Sequence, residues 1–192
     1  MQHGYRKTSV DEIARRAGVA KGTVYLYFDK KASLLMHAMA REKEVLFERL
    51  RPVLDGTLRD EARLHFYVKT LLTCGRDLPL LARLMSGGGE ALVVLDEIDP
   101  QLMERATELG EQWLMSLVED AAPYEFDAQQ RRERANVLNT LRWFVTMLLD
   151  ERIRGGRDLD ALAETMADVL VYGLVTRPPG QEDMLDREEE EP

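Results

Sequence analysis

Apolar residues recur at steps of three and four along almost the whole chain, and this regularity decides the fold class. Val10, Ile13, Ala14 and Ala17 form one such stripe; Leu102, Ala106, Leu109, Trp113, Leu117 and Ala121 form another. A helix returns a side chain to the same face about every 3.6 residues, whereas a strand alternates faces at each residue. The one short run with strand character is Ala91-Leu92-Val93-Val94-Leu95. The predicted fold is therefore all-α, helical in both its N-terminal and its longer C-terminal part.

Capping residues punctuate the pattern. Ser9-Val10-Asp11-Glu12 fits a capping box, and Gly18 stands where a left-handed C-terminal residue ends a helix. A second short helix is expected from Lys21 to Phe28. Asp29 is the expected cap of a third, with Leu34, Leu35, Ala38, Val45, Leu46 and Leu50 inward and Pro52 ending or kinking it. Asp60 opens a helix closing near Gly75, and Asp77-Leu78-Pro79 a short one before Gly87-Gly88-Gly89. Asp99-Pro100 starts the next. Asp127 caps one running to about Arg154; Asp158 caps the last. These two C-terminal helices, 127–154 and 158–176, are either half of an intersubunit four-helix bundle or ordinary core of one subunit. The chain is read as 1–36 (head), 37–176 (body) and 177–192 (tail). From Gln181 to Pro192 there are seven acids and one arginine, so the tail reads as solvated and disordered.

The 192 residues are 45% hydrophobic and 32% charged, enough for a buried core. No run of 18 apolar residues suggests a membrane span, and no basic-then-apolar leader is visible. With one cysteine, Cys74, a cytoplasmic protein without disulfides is expected. The three histidines are scattered, so no metal is expected. GxSxG, P-loop, HExxH, CxxC and Rossmann glycine patterns are absent, so neither catalytic residues nor a cofactor are predicted, and the chain reads as no enzyme.

The net charge of −9 is unevenly spread. Residues 1–50 carry ten Lys/Arg against six acids, which is +4, and leave −13 for the rest. A basic head on an acidic body suits a protein that meets phosphates at one end. Chance clustering on a solvated face would look the same.

Helix, tight turn at Gly18, then short helix is the layout of a helix-turn-helix. Val24 and Phe28 share an inward face. Lys21, Thr23, Tyr25 and Tyr27 fall on other faces, offering charge, a hydroxyl and phenols to DNA. Gly22 costs about 1 kcal/mol of helix propensity and lets the backbone approach closely.

The stretch Thr8-Ser9-Val10-Asp11-Glu12-Ile13-Ala14, then Ala17 through Phe28, then Lys31 and Leu34-Leu35, resembles the TetR family of bacterial transcriptional regulators. The resemblance implies a homodimer on palindromic operator DNA, usually a repressor, paired through the two C-terminal helices. It implies DNA contacts from Lys21, Gly22, Thr23, Tyr25 and Tyr27 in the recognition helix, from Thr8 and Ser9 at the preceding helix start, and from Lys31. Scaffold packing of one tyrosine, and simple solvation of Lys30 and Lys31, stay open. This chain departs from the family in having Lys30 and Ala32 beside Lys31. The family also places a further helix before Gly4-Tyr5. The sequence reading is a head lacking its first helix, through truncation or a start placed downstream of the native one. Val10, Ile13, Val24, Phe28 and Leu35 are then expected to be exposed.

The family's body also binds a small effector, which induces or co-represses. Phe66, Met85, Leu109, Trp113, Leu117, Trp143, Phe144 and Met147 are candidates for an apolar pocket, or else for plain core. His65, Lys69 and Arg83 are candidates for an anionic head group, or else surface. A hydrophobic drug, fatty acyl compound or aromatic metabolite would fit. The alternative reading is a ligand-binding or protein-interaction dimer whose DNA binding is impaired by the absent helix.

Overall fold

The computed structural model describes residues 4–80, 82 and 100–176. Among these no strand occurs, and no helix is long and apolar enough to cross a membrane. The expected strand-like run, the Asp99 cap, Met85, Arg83 and the acidic tail lie outside the described residues.

The head consists of α1 (Gly4–Lys7), α2 (Val10–Ala17), α3 (Lys21–Tyr27) and the start of α4 (Lys31–Arg49). The body adds α5 (Arg51–Leu54), α6 (Asp60–Thr73), a 3-10 turn (Cys74–Arg76), α7 (Pro100–Ala121), α8 (Ala128–Leu149), α9 (Glu151–Arg154) and α10 (Leu159–Val175). Helix α4 crosses position 36 without a break. Its Leu35 packs on Tyr5 in the head, and its Leu46 packs on the body core that holds Leu50.

Helix α6 is the axis of the body. Leu64, Val68 and Leu72, one turn apart, are completely buried, and α7, α8 and α10 all pack against it. Leu117, Val118, Leu138, Ala163, Ala167 and Val171 complete the core around them. The two C-terminal helices meet α6 far more than each other. They flank α6 rather than forming a self-contained hairpin.

Capping residues do what their chemistry allows. Asp127 accepts from the Gln130 N–H while Gln130 reaches back, a complete box. Asp158 caps α10 through the Ala161 N–H at 2.9 Å. The long helix expected to reach Arg154 stops at Leu149. There the Asp150 carboxylate takes the Arg152 N–H and starts α9, and Arg154 covers the Leu148 and Leu149 carbonyls that the break frees. The Arg152 side chain, hydrogen-bonded to Asp150, holds that carboxyl down at about 2.

One edge of α10 is acidic, with Asp160, Glu164 and Asp168 at four-residue steps. Arg76 donates to both Asp160 oxygens at 2.8 and 2.7 Å, Lys69 pairs with Glu164, and His65 Nε2 lies 2.9 Å from Asp168 Oδ1. Lys69 already balances Glu164, so the group works as an ion-pair edge between α6 and α10. His65 and Lys69 are thus engaged with protein carboxylates.

Gly75 has a packing role. A Cβ there would meet Val145 Cγ1 at 2.6 Å and Leu149 Cδ1 at 2.8 Å. The missing side chain lets α8 seat against the turn after α6. Gly75→Ala should overpack this contact and cost about 1–3 kcal/mol, read from urea unfolding.

Candidate nucleic-acid interface

Local chemistry builds the turn between α2 and α3. Ser9 Oγ accepts from the Glu12 N–H at 3.1 Å, the first half of the expected box; Glu12 then pairs with Arg16 at 3.1 Å. At the other end Gly18 adopts φ +70°. Its N–H reaches Arg15 O at 3.3 Å, and the Val19 N–H reaches Ala14 O at 3.0 Å. This is a Schellman ending, which needs the left-handed residue that glycine supplies without strain. The chain turns and α3 begins with Ala20 in extended conformation.

Helix α3 is held by one side chain. Val24 is buried against Val10 and Ala14, with Phe28 and Leu34 beside it. The other six residues of the helix are exposed. Tyr27 is 77% accessible, Tyr25 46% and Leu26 82%. The helix therefore presents nearly its whole surface outward. The head also carries exposed basic residues: Arg6, Lys7, Arg15, Arg16, Lys21 and Lys30. Lys21 pairs with Asp11 at 3.2 Å, but both side chains are more than half accessible, so solvent and salt weaken that pair. An open groove lined by Ser9, Asp11, Arg15, Val19 and Lys21 runs beside this junction.

The structure brings Ser9, Lys21, Gly22, Thr23, Tyr25 and Tyr27 onto one accessible head. It places Thr8 and Lys31 differently. Thr8 is buried, its hydroxyl donating to Gly4 O at 2.7 Å. The Lys31 ammonium donates to Tyr5 O at 2.9 Å and Thr8 O at 3.3 Å, and lies 4.1 Å from the Tyr5 ring centre. Both residues brace the α1–α2 corner. Val10, Val24 and Leu35 are buried, and Ile13 and Phe28 half-buried, because α2, α3 and α4 close on one another; the expected exposure is not observed. The expected Asp29 cap is not found either: Lys30 holds the cap position of α4 with no side-chain bond. Ala38 and Val45, read as inward on α4, are exposed.

A Cβ on Gly22 would meet no protein atom within 4 Å. The protein's own packing gives no reason for glycine there. Gly22→Ala should stabilise α3 by about 0.5–1 kcal/mol while weakening duplex DNA binding. Thermal melts and a DNA titration on one sample would show the opposite signs.

Among the described residues, polar contacts as well as packing tie α4 to the end of α6 and the segment after it. Arg49 of α4 pairs with Asp77 and donates to Thr73 Oγ1 at 3.0 Å, and Glu42 accepts from the Leu80 N–H at 2.7 Å. A change at the end of α6 therefore bears directly on the helix that carries the head.

The residues expected to line an effector pocket are dispersed. Leu117 is fully buried in the core. Trp113 and Phe66 are half-buried, Trp113 edge-on to Tyr67 with centroids 5.2 Å apart. Leu109, Phe144 and Met147 are exposed, at 67%, 44% and 55%. Met85 and the Trp143 side chain lie outside the described residues. Burial pushes the Cys74 thiol up to about 11, so it stays protonated and offers no thiolate nucleophile.

Residues 1–38 match the family described as bacterial regulatory proteins, tetR family. The chain is 32% identical over 127 residues to the HTH-type transcriptional repressor KstR of Mycolicibacterium smegmatis, covering 64% of this chain and 58% of that one. It spans less than two thirds of the length of the curated relatives it matches. The fatty acid degradation regulator FadR from Bacillus halodurans superposes with TM-score 0.64 at 25% identity, over 92% of this chain and 90% of that one. The transcriptional regulator FadR from Bacillus subtilis, in complex with stearoyl-CoA, superposes with TM-score 0.59 at 20% identity, over 90% of this chain and 91% of that one.

Proposed function

We propose that this chain, which belongs to the tetR family of bacterial regulatory proteins, is a homodimeric transcriptional repressor acting in the cytoplasm on a palindromic operator. The observation that carries the reading is α3, anchored by Val24 alone with its other six residues exposed, on a head that carries exposed basic side chains. A helix held this way can enter the major groove without unfolding anything else. The Lys21–Asp11 pair opens and releases its cation to phosphate. Ser9, Thr23, Tyr25 and Tyr27 supply hydroxyls, and Gly22 sets how near the helix comes. Thr8 and Lys31 act by keeping the α1–α2 corner rigid. Residues 1–36 form the DNA-reading unit, sharing α4 with a ligand-binding and dimerisation unit over 37–176.

The dimer surface lies on α8 and α10. Each carries an exposed stripe without charge: Val137, Thr140, Phe144 and Met147 on α8, and Thr165, Val169 and Tyr172 on α10. Uncharged exposed faces at helical spacing suit an isologous contact between two copies. The effector is a small, mainly apolar molecule. The similarity to a regulator holding stearoyl-CoA makes a long-chain acyl-CoA the first compound to try. It acts by binding the DNA-competent and DNA-incompetent states unequally, and the Arg49 and Glu42 contacts carry the difference to the head.

Titration of labelled duplex from upstream of the chain's own gene tests this reading, followed by added stearoyl-CoA. Saturable binding at two chains per duplex, changed by the acyl-CoA, supports it. Absence of duplex binding contradicts it.

A further inference from the structure

Among the described residues, Leu26 is the most exposed large apolar side chain, at 82%, and it stands in α3, the helix proposed to read DNA. Its side chain bears neither charge nor hydroxyl. Successive residues of a helix are rotated by about 100°. Residues two before and two after Val24 therefore point away from the one anchor, and those are Gly22 and Leu26. They form the outermost ridge of α3: a position without a side chain, then a leucine one turn, about 6 Å, further along the axis. With nothing at Gly22 to hold the helix off, the ridge descends until Leu26 makes contact. Water gains nothing from an exposed leucine; an apolar group on the floor of the groove does. In the major groove that group is the 5-methyl of thymine.

We propose that Leu26 is a specificity-determining residue that reads a thymine methyl in each operator half-site. The inference rests on the DNA-binding reading above. Leu26 recognises thymine over cytosine by apolar contact alone, while Lys21 and the tyrosines hold the backbone and fix the register. Leu26 bears on no core residue, so its replacement leaves the fold intact.

The test removes the methyl and nothing else. Once the half-sites are footprinted, each symmetric pair of thymines is replaced in turn by deoxyuridine. Affinities are then measured for the wild-type chain, Leu26→Ala and Leu26→Met. One pair of uracils should weaken the wild type by about fourfold per half-site, the worth of one buried methyl. Leu26→Ala should bind thymine DNA as weakly as the wild type binds uracil DNA, and should show no further loss on uracil. Leu26→Met should restore sensitivity to uracil. Equal uracil sensitivity in the wild type and Leu26→Ala overturns the assignment, as does a wild type indifferent to every uracil. If the wild type binds no duplex at all, the DNA-binding reading fails, and that result is distinct from either.

Discussion

Val169→Glu should convert the dimer to a monomer and lower operator affinity by about a hundredfold or more. Val169 is 67% exposed within one chain, so the substitution leaves each chain folded. In an isologous interface the change enters twice, placing two carboxylates on facing uncharged surfaces. Burying an unpaired charge costs more than any contact it replaces. Loss of pairing removes the second half-site from reach, and bivalency of this kind is worth about 10²–10⁴ in affinity. Light scattering at micromolar concentration reads the mass, and a duplex titration reads the affinity. A variant that remains dimeric would place the interface elsewhere than on α10.

The second large effect belongs to Tyr27. Its ring is 77% exposed and lies at the end of α3, where the phenol reaches out from the head. Tyr27→Ala should lower duplex affinity by roughly ten- to a hundredfold, the range of about 1–3 kcal/mol for a good DNA contact. The melting temperature should hardly move, because exposed positions without partners contribute little to stability. Tyr27→Phe separates the two parts of the side chain: loss with phenylalanine assigns the effect to the hydroxyl, retention assigns it to the ring. An alanine variant that melts early would instead make Tyr27 a scaffold residue.

The helix-turn-helix was legible because its determinants are local. Ser9, Glu12 and Gly18 act within one or two turns, and the inward pair Val24 and Phe28 follows from spacing alone. The body was legible as helices but not as a packing. Periodicity marks an apolar face without saying whether it meets the same chain or another. Leu109, Phe144 and Met147 sit at core-like spacing yet point outward. The place of α6 between the two C-terminal helices also has no local signal, because it depends on contacts such as His65 with Asp168, 103 residues apart. Lys31 shows the same limit at short range. The resemblance implied a phosphate contact, and in this structure its ammonium donates to the carbonyls of Tyr5 and Thr8. The break at Asp150 has a local signal, a capping residue directly after Leu149, but the apolar pattern that runs up to it masks the stop.

Binding of duplex DNA by the exposed basic head is tested most directly by the salt dependence of that binding. Fluorescence anisotropy with the duplex upstream of the gene, at several salt concentrations, gives the slope of log affinity against log salt. Cations released to phosphate predict a steep negative slope, with about 0.9 for each contact made, and a shallower slope for Lys21→Ala. A slope near zero, or no binding at low salt, would contradict the account.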